Sequence, residues 1–261
     1  MTAILELSDL SIAFGGLKAL SNVSFRVDKG EIFSVIGPNG AGKTTLFNIV
    51  SGVYRPNSGA IRLKGETVTG EPPHRLAARG LSRSFQNLQI FGRMTAAENV
   101  MVGRHMQESR NVVAHLLGLP SVRRENRASA DRARDLLDLI GLGPQAELPA
   151  GSLPYGAAKR LEIARAMATD PAVLLLDEPA AGCNPVETDE IEAVIRKIAG
   201  LGVTVVLVEH DMKLVMRISD RIHVLNYGET LAEGRPADIR SNPKVIEAYL
   251  GHHGSKEAAR A

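Results

Sequence analysis

Apolar side chains in the first third of the chain follow the short-period patterns that predict β-strands. Residues 4–12 place apolar side chains among polar neighbours, and residues 23–27 alternate strictly between the two types. Residues 32–36 are almost wholly apolar, which is typical of a strand buried on both faces. Two further short strands are predicted at residues 60–63 and 82–85.

A helical period replaces this pattern between about residues 88 and 168. Ala133, Leu136 and Ile140 fall on one face of a predicted helix, and the glycine and proline residues that follow end it. A second helix is predicted over residues 156–168.

Strands and helices alternate in the last third of the chain. The predicted strands cover residues 173–176, 203–208 and 221–225, and the predicted helices cover residues 185–201, 211–219 and part of 243–250. The small and polar residues 251–261 are expected to form a mobile tail. The layout is an α/β core interrupted by a helical insert.

A glycine-rich run follows the predicted strand at residues 32–36 and precedes a helical segment. It matches the phosphate-binding loop pattern, in which successive N–H groups and a helix N-terminus face phosphate oxygens. The predicted nucleotide-binding residues are Gly37, Pro38, Asn39, Gly40, Ala41, Gly42, Lys43, Thr44 and Thr45. Lys43 is predicted to reach the outer phosphates and Thr44 to ligate Mg²⁺. The alternative is a glycine-rich turn that merely fits the pattern.

Two acidic residues follow the apolar strand at residues 173–176. Because ligands gather at the carboxyl ends of parallel strands, Asp177 is predicted to lie near the phosphate loop and to hold Mg²⁺. Glu178 is then placed to act as the general base that polarises water for attack on the terminal phosphate. The alternative is an acidic pair that is simply solvated at the end of a strand.

Two more polar residues end predicted strands and are candidates for the same site. His210 follows the strand at residues 203–208 and is predicted to contact the terminal phosphate or the attacking water. Gln86 ends an earlier strand, where its amide oxygen is predicted to ligate Mg²⁺ or to orient water. The alternatives are a histidine beside a helix cap and a surface amide.

Composition limits the classes of partner and the cellular compartment that we expect for this protein. The 261 residues carry a formal net charge of +2 and no tryptophan, which argues against a nucleic-acid partner. The single cysteine, Cys183, cannot form an internal disulfide, which suits a reducing compartment. The N-terminus lacks a signal-peptide pattern, and no apolar run approaches the ~20 residues needed to cross a bilayer. We therefore expect a soluble protein whose membrane role depends on a partner.

Taken in order along residues 5–250, these motifs resemble the ATP-binding cassette (ABC) ATPases. Gln86 stands in the place of that family's glutamine loop, and the acidic strand and His210 follow as in the family. Phe14 stands where the family places an aromatic residue against adenine. The family's signature segment corresponds to Leu153, Pro154, Tyr155 and Gly156.

The resemblance implies an α/β fold, with a P-loop NTPase core, an N-terminal antiparallel β subdomain and an inserted α-helical subdomain. It implies one ABC ATPase domain over residues 1–250, in which residues 1–87 and 169–250 form the core and about 88–168 the helical subdomain. ATP and Mg²⁺ are the implied ligands.

The same resemblance implies a second ABC ATPase subunit, bound head to tail in a homo- or heterodimer. Each ATP would then lie between one subunit's phosphate loop and the other subunit's signature segment. Transmembrane permease subunits, and indirectly a substrate-binding protein, complete the implied assembly at the cytoplasmic face of the inner membrane.

The signature segment departs from the family's usual L-S-G-G-Q sequence. Pro154 replaces the serine, Tyr155 the first glycine and Ala157 the glutamine. The serine hydroxyl that would bind a terminal phosphate is therefore absent, while the Gly156 N–H at a helix start remains as an anion site. Asn184 also stands where many cassettes have aspartate. We expect a working signature with a weaker phosphate contact.

Several stretches resemble the longer of the two ATPase subunits of branched-chain amino acid importers, including residues 14–20, 84–87 and 249–251. The expected function is ATP hydrolysis that energises import of branched-chain or other hydrophobic amino acids. Alternatives are an ABC ATPase of another transporter, for urea, amides or lipopolysaccharide, and a mechanical ABC ATPase outside transport. A small-molecule kinase is a further alternative, but the sequence shows no evident lid over an acceptor.

Overall fold

The computed structural model describes residues 3–84, 88–107 and 120–249 of the chain. Their strands are β1 (Ala3–Phe14), β2 (Leu17–Asp28), β3 (Ile32–Ile36), β4 (Ser58–Leu63), β5 (Glu66–Thr67), β6 (Leu81–Arg83), β7 (Val173–Asp177), β8 (Thr204–Val208), β9 (Arg221–Asn226) and β10 (Glu229–Gly234). Their helices are α1 (Lys43–Val50), α2 (Pro73–Ala78), α3 (Ala96–Gly103), α4 (Pro120–Leu139), α5 (Tyr155–Met167), α6 (Pro185–Gly200), α7 (Met212–Ile218), α8 (Pro236–Arg240) and α9 (243–249).

The central sheet has the strand order β10-β9-β3-β8-β7-β6. Its strands run parallel except β10, which pairs antiparallel with β9 at one edge. Every residue of β3, β7 and β8 is buried, as continuous apolar runs predict for strands that are covered on both faces. The carboxyl ends of these three neighbouring strands therefore meet at one edge of the sheet.

A second, antiparallel sheet has the order β2-β1-β4-β5 and covers α1. Leu5 and Val23 of this sheet belong to the same buried cluster as Leu46 and Phe47 of α1 and Val206 of the central sheet. Burying a side chain of this size stabilises the fold by about 1.5–3 kcal/mol. Helix α1 is consequently held between the two sheets, which fixes the loop that precedes it.

The helices of the insert pack on the opposite face of the central sheet. Val100 of α3, Leu136 of α4 and Leu161 of α5 share a buried cluster with Leu174 of β7 and Ile191 of α6. The expected α/β core, antiparallel β region and helical insert are all present, which confirms the fold class. None of the described helices combines the length and apolar character needed to cross a membrane.

The structure adds elements to the expected ones and shifts the bounds of others. Strand β10 and the short helix α2 were not predicted, and β6 begins one residue earlier than the predicted strand. The long helix α4 begins well before the apolar face that predicted it. The expected tail at residues 251–261 lies outside the described residues.

Candidate active site

The glycine-rich loop between β3 and α1 packs so closely on its surroundings that two of its positions accept only glycine. A Cβ at Gly37 would lie 2.2 Å from the carbonyl oxygen of Leu225 in β9. Gly42 caps the N-terminus of α1 with a φ of 102°, and a Cβ there would lie 2.7 Å from a methyl group of Leu20. The chain is thereby folded around the helix N-terminus, where the sequence predicted a phosphate site.

The Lys43 side chain crosses the inside of this loop. Its ammonium donates hydrogen bonds to the carbonyl oxygens of Gly37, at 2.6 Å, and Pro38, at 3.0 Å. Burial lowers the pKa of Lys43, and the nearby carboxylates of Glu178 and Asp177 oppose that shift. The positive charge therefore lies between the loop and the acidic end of β7.

A cleft of about 680 Å³ opens beside the loop. It is lined by residues 39–45, by residues 17–19 at the start of β2, and by Glu178 and Tyr227. Phe14 does not line this cleft, but it pairs across the β1–β2 hairpin with Leu17, which does. Its ring is 47% exposed and makes an edge contact with Tyr54, at 5.3 Å between centroids. One aromatic face is thus presented near the cleft.

Asp177 ends β7 with a carboxylate that is only 1% exposed. Its Oδ2 accepts a hydrogen bond from Arg83 at 2.7 Å, while its Oδ1 is buried without a hydrogen-bond partner. Burial raises the pKa of Asp177, and the Arg83 guanidinium opposes the shift. A buried carboxylate oxygen that lacks a donor fits Mg²⁺, which prefers oxygen ligands. Thr44, the other described residue predicted to hold the ion, lines the adjoining cleft.

Arg83 is a residue of this site that sequence reasoning missed. Besides Asp177, it donates to Asn48, at 2.7 Å, and Ser51, at 2.8 Å, both at the end of α1. The guanidinium also lies 5.7 Å from the centre of the Phe47 ring. Arg83 therefore ties α1, which follows the phosphate loop, to the acidic end of β7. No sequence pattern in the short strand β6 indicates this role.

The ends of β7 and β8 bring Glu178 and His210 together. Glu178 has a φ of 50°, a left-handed conformation that costs a non-glycine residue on the order of 1–3 kcal/mol. Its N–H donates to the carbonyl oxygen of Val208 at 2.9 Å, which holds this conformation. His210 Nδ1 lies 3.8 Å from Glu178 Oε2. Gln86, the remaining residue predicted for this site, lies outside the described residues.

The signature segment contacts the loop that follows Glu178. Pro154 caps the N-terminus of α5, and the Tyr155 hydroxyl donates to the carbonyl oxygen of Ala181 at 3.1 Å. A Cβ at Gly182 would approach the Tyr155 ring to 3.2 Å. Leu153 packs against the buried cluster of the helical insert. The tyrosine that replaces a glycine thus acts as a packing group between α5 and the loop after β7.

The Gly156 N–H, expected to be free for a phosphate, already binds an anion from its own chain. It donates to Glu187 Oε1 at 3.1 Å, and a Cβ at this position would lie 2.6 Å from the Glu187 side chain. Glu187 Oε2 accepts the N–H of Asn184 at 3.0 Å, and Asn184 in turn caps α6. One carboxylate that the sequence did not single out therefore links the signature segment to Asn184, which stands where many cassettes have aspartate.

Phosphate-binding backbone, a carboxylate oxygen suited to Mg²⁺ and an acid beside a histidine meet at the carboxyl edge of a parallel sheet. This combination defines a P-loop protein that hydrolyses a nucleoside triphosphate.

Comparison with known proteins gives the family. Residues 20–181 match the family model described as ABC transporter, and residues 229–255 match the model described as branched-chain amino acid ATP-binding cassette transporter. The chain therefore belongs to the ABC transporter family, as one of its ATP-hydrolysing cassettes.

Relatives and solved structures match almost the whole chain. The high-affinity branched-chain amino acid transport ATP-binding protein BraF of Pseudomonas aeruginosa is 50% identical over 95% of this chain and 98% of its own length. The corresponding protein LivG of Escherichia coli K12 is 47% identical over the same shares. The ADP conformation of an ATP-binding cassette of an ABC transporter superimposes with a TM-score of 0.85 at 31% identity, covering 97% of this chain and 100% of that one.

Proposed function

We propose that this chain is the ATP-hydrolysing subunit that energises a membrane importer of branched-chain or other hydrophobic amino acids. The observation that carries this proposal is the identity of 47–50% with two branched-chain amino acid transport ATP-binding proteins over 95% of the chain. The match at residues 229–255 supports the same specificity, because it lies outside the part of the chain that the general ABC transporter model matches.

ATP would bind with its phosphates along the loop at residues 37–45 and its adenine against the exposed face of Phe14. In the structure Lys43 satisfies two loop carbonyl oxygens, so a bound phosphate offers its ammonium an alternative, charge-assisted partner. Thr44 and Asp177 would hold Mg²⁺, which would neutralise negative charge on the phosphates. The orphaned Oδ1 of Asp177 supports this assignment.

Glu178 is the proposed general base. It would accept a proton from water while the water oxygen bonds to the terminal phosphorus and the bond from phosphorus to the ADP oxygen breaks. His210, at 3.8 Å from that carboxylate, would hold the water or the terminal phosphate, and Gln86 is assigned to the same role of orienting water. The fixed conformation of Glu178 supports its role, because a base must be held close to its water.

A second cassette would complete the site. Among the described signature residues, Tyr155 binds Ala181 and Gly156 binds Glu187 of their own chain. None of the residues Leu153, Pro154, Tyr155 and Gly156 lines the ATP cleft. They would instead cover the ATP of a partner bound head to tail, in a homo- or heterodimer. ATP would then stabilise the closed dimer through contacts that hydrolysis removes.

A groove of about 420 Å³ between β6 and the helical insert is the proposed dock for a permease segment. Phe91 and Val102 line it and are 48% and 40% exposed, and the Arg165 guanidinium lies 5.7 Å from the Phe91 ring. Arg83 lines the same groove and binds Asp177, so an occupant of the groove would lie next to the catalytic edge. The protein would then be peripheral, at the cytoplasmic face of the membrane, with a substrate-binding protein acting through the permease.

The test is co-purification with the permease, followed by reconstitution in vesicles with its binding protein. We expect leucine, isoleucine or valine to stimulate ATP hydrolysis, and Glu178→Gln to bind ATP while hydrolysing it at least ~10²-fold more slowly. Stimulation by urea or a lipid alone would overturn the proposed substrate class. Wild-type turnover by the Glu178→Gln protein would overturn the base assignment.

A further inference from the structure

A single buried carboxylate joins the two loops that carry Glu178 and His210. Glu209 directly follows β8 and is 1% exposed. Its Oε1 accepts the N–H of Ala180 at 2.9 Å, and its Oε2 accepts the N–H of His210 at 3.1 Å. The Asp211 N–H points to the same Oε2 at 3.5 Å. One side chain therefore bonds both the loop after β7 and the loop after β8.

These bonds bracket Glu178. On one side its own N–H binds the carbonyl oxygen of Val208, the last residue of β8. On the other side, Ala180 binds the Glu209 carboxylate two residues further along the chain. A left-handed conformation at a glutamate persists only where surrounding contacts hold it, and these two contacts do so from the same neighbouring strand.

His210 is held in the same way. Its N–H binds Glu209 Oε2, and its ring Nδ1 lies 3.9 Å from that oxygen and 3.8 Å from Glu178 Oε2. The histidine ring thus lies at nearly equal distances from the two carboxylates. Glu209 itself is enclosed, so it contacts neither solvent nor the cleft that would hold ATP.

We propose that Glu209 is a positioning residue for hydrolysis, which keeps Glu178 and His210 in fixed relation without touching ATP or water. This inference rests on the proposed function, in which Glu178 is the base. Burial raises the pKa of Glu209, and the three N–H donors oppose that shift. Burial therefore makes the charged form of this carboxylate less favourable than it is in water. A base displaced by about 1 Å loses about 10²-fold in rate.

The variant Glu209→Gln tests this with little change in shape. An amide has one accepting oxygen, so its NH₂ group must face either Ala180 or His210 and break that bond. In the complex with the permease we expect kcat to fall about 10²-fold, with the KM for ATP within about twofold of wild type. A kcat within about threefold of wild type would overturn the proposal.

Glu31→Gln is the matched control. Glu31 is also largely buried and accepts a backbone N–H, from Asp28 at 2.7 Å, and it pairs with Arg221 at 3.0 Å. It precedes β3, at the edge of the sheet opposite the phosphate loop. We expect this variant to lower the unfolding midpoint as Glu209→Gln does but to keep the wild-type kcat. Equal losses of kcat in the two variants would mean that Glu209 is only a structural group.

A double variant separates the two proposals. If Glu209 acts through Glu178, the protein with both Glu178→Gln and Glu209→Gln should hydrolyse ATP no more slowly than Glu178→Gln alone. Multiplied losses would refute positioning through Glu178. Should Glu178→Gln itself retain wild-type turnover, the proposed base is wrong; a slow Glu178→Gln beside a fast Glu209→Gln refutes only the present inference.

Discussion

Replacing Arg83 by methionine tests the contact that joins the phosphate-loop helix to the acidic strand. The substitution keeps an apolar stem against Phe47 and removes the guanidinium that binds Asp177 at 2.7 Å. Asp177 is 1% exposed and already has one oxygen without a hydrogen-bond partner. Without Arg83, a buried charge loses its closest described counter-ion.

The expected loss of stability follows from that burial. Removing one partner of a buried ion pair typically costs about 3–5 kcal/mol. We expect about 3 kcal/mol, the lower end of that range, because the Arg83 side chain is 14% exposed and water can enter the vacated space. At about 2–4 °C per kcal/mol, the midpoint of thermal unfolding should fall by about 6–12 °C.

Urea and thermal unfolding with and without nucleotide provide the assay. If Asp177 holds Mg²⁺, the ion supplies the positive charge that Arg83→Met removes, so Mg-ATP should raise the variant's midpoint more than that of wild type. ATP with EDTA should not. Arg79→Met, which removes an exposed arginine paired with Glu66 and Glu71, should leave the midpoints unchanged. If Arg83→Met is as stable as wild type, the contact between Arg83 and Asp177 does not stabilise the fold as argued. If ATP raises its midpoint equally with and without Mg²⁺, Asp177 does not hold the ion.

Four shorter predictions address the rest of the molecule. Lys43→Ala should weaken ATP binding about 10- to 100-fold, because it removes a charged hydrogen bond; calorimetry measures the affinity. Phe91→Ala should reduce co-purification with the permease and leave the isolated subunit's ATPase rate unchanged. Pro154→Ser, in the Glu178→Gln background, should dimerise at lower ATP concentration in size-exclusion runs; an unchanged concentration would mean that backbone N–H groups suffice. Because burial raises the pKa of Glu209 above its ordinary 4.5, its contribution to stability is complete below that pH and is lost as pH rises through the folded value. As the pH of urea melts is raised from below 4.5, the stability of Glu209→Gln should therefore fall less than that of wild type.

Local patterns predicted the parts of the site that one stretch of chain builds by itself. The phosphate loop is continuous, and its glycines, lysine and helix start follow one another in the sequence. The ends of β7 and β8 were also predictable, since buried parallel strands show as continuous apolar runs and their carboxyl ends meet at one edge. Asp177, Glu178 and His210 accordingly lie where their positions after these runs suggest.

Contacts between distant stretches were not predictable in this way. Arg83 and Asp177 lie 94 positions apart, and they meet because β6 pairs with β7 in a register that places Arg83 beside Leu175. That register depends on strand neighbours, which no local pattern encodes. Strand β10 was missed for a different reason: none of its residues is buried, so it shows no apolar run. Its hairpin turn also has Tyr227, with a φ of 48°, at a position that usually favours asparagine or glycine.

A contact between distant stretches also changes the interpretation of the signature segment. The N–H of Gly156 and the N-terminus of α5 attract anions, and that attraction is why Glu187 binds there as well as why a phosphate would. One N–H cannot serve both, so in the dimer that we propose a partner's terminal phosphate would displace Glu187 rather than fill an empty site. The phosphate would then gain only the difference in free energy between its own contact with this N–H and the contact that Glu187 makes. That gain is smaller than the loss of the serine hydroxyl by itself would imply. Glu187 would stay nearby through its bond to the Asn184 N–H at 3.0 Å. It would bind the Gly156 N–H again when hydrolysis removes the terminal phosphate.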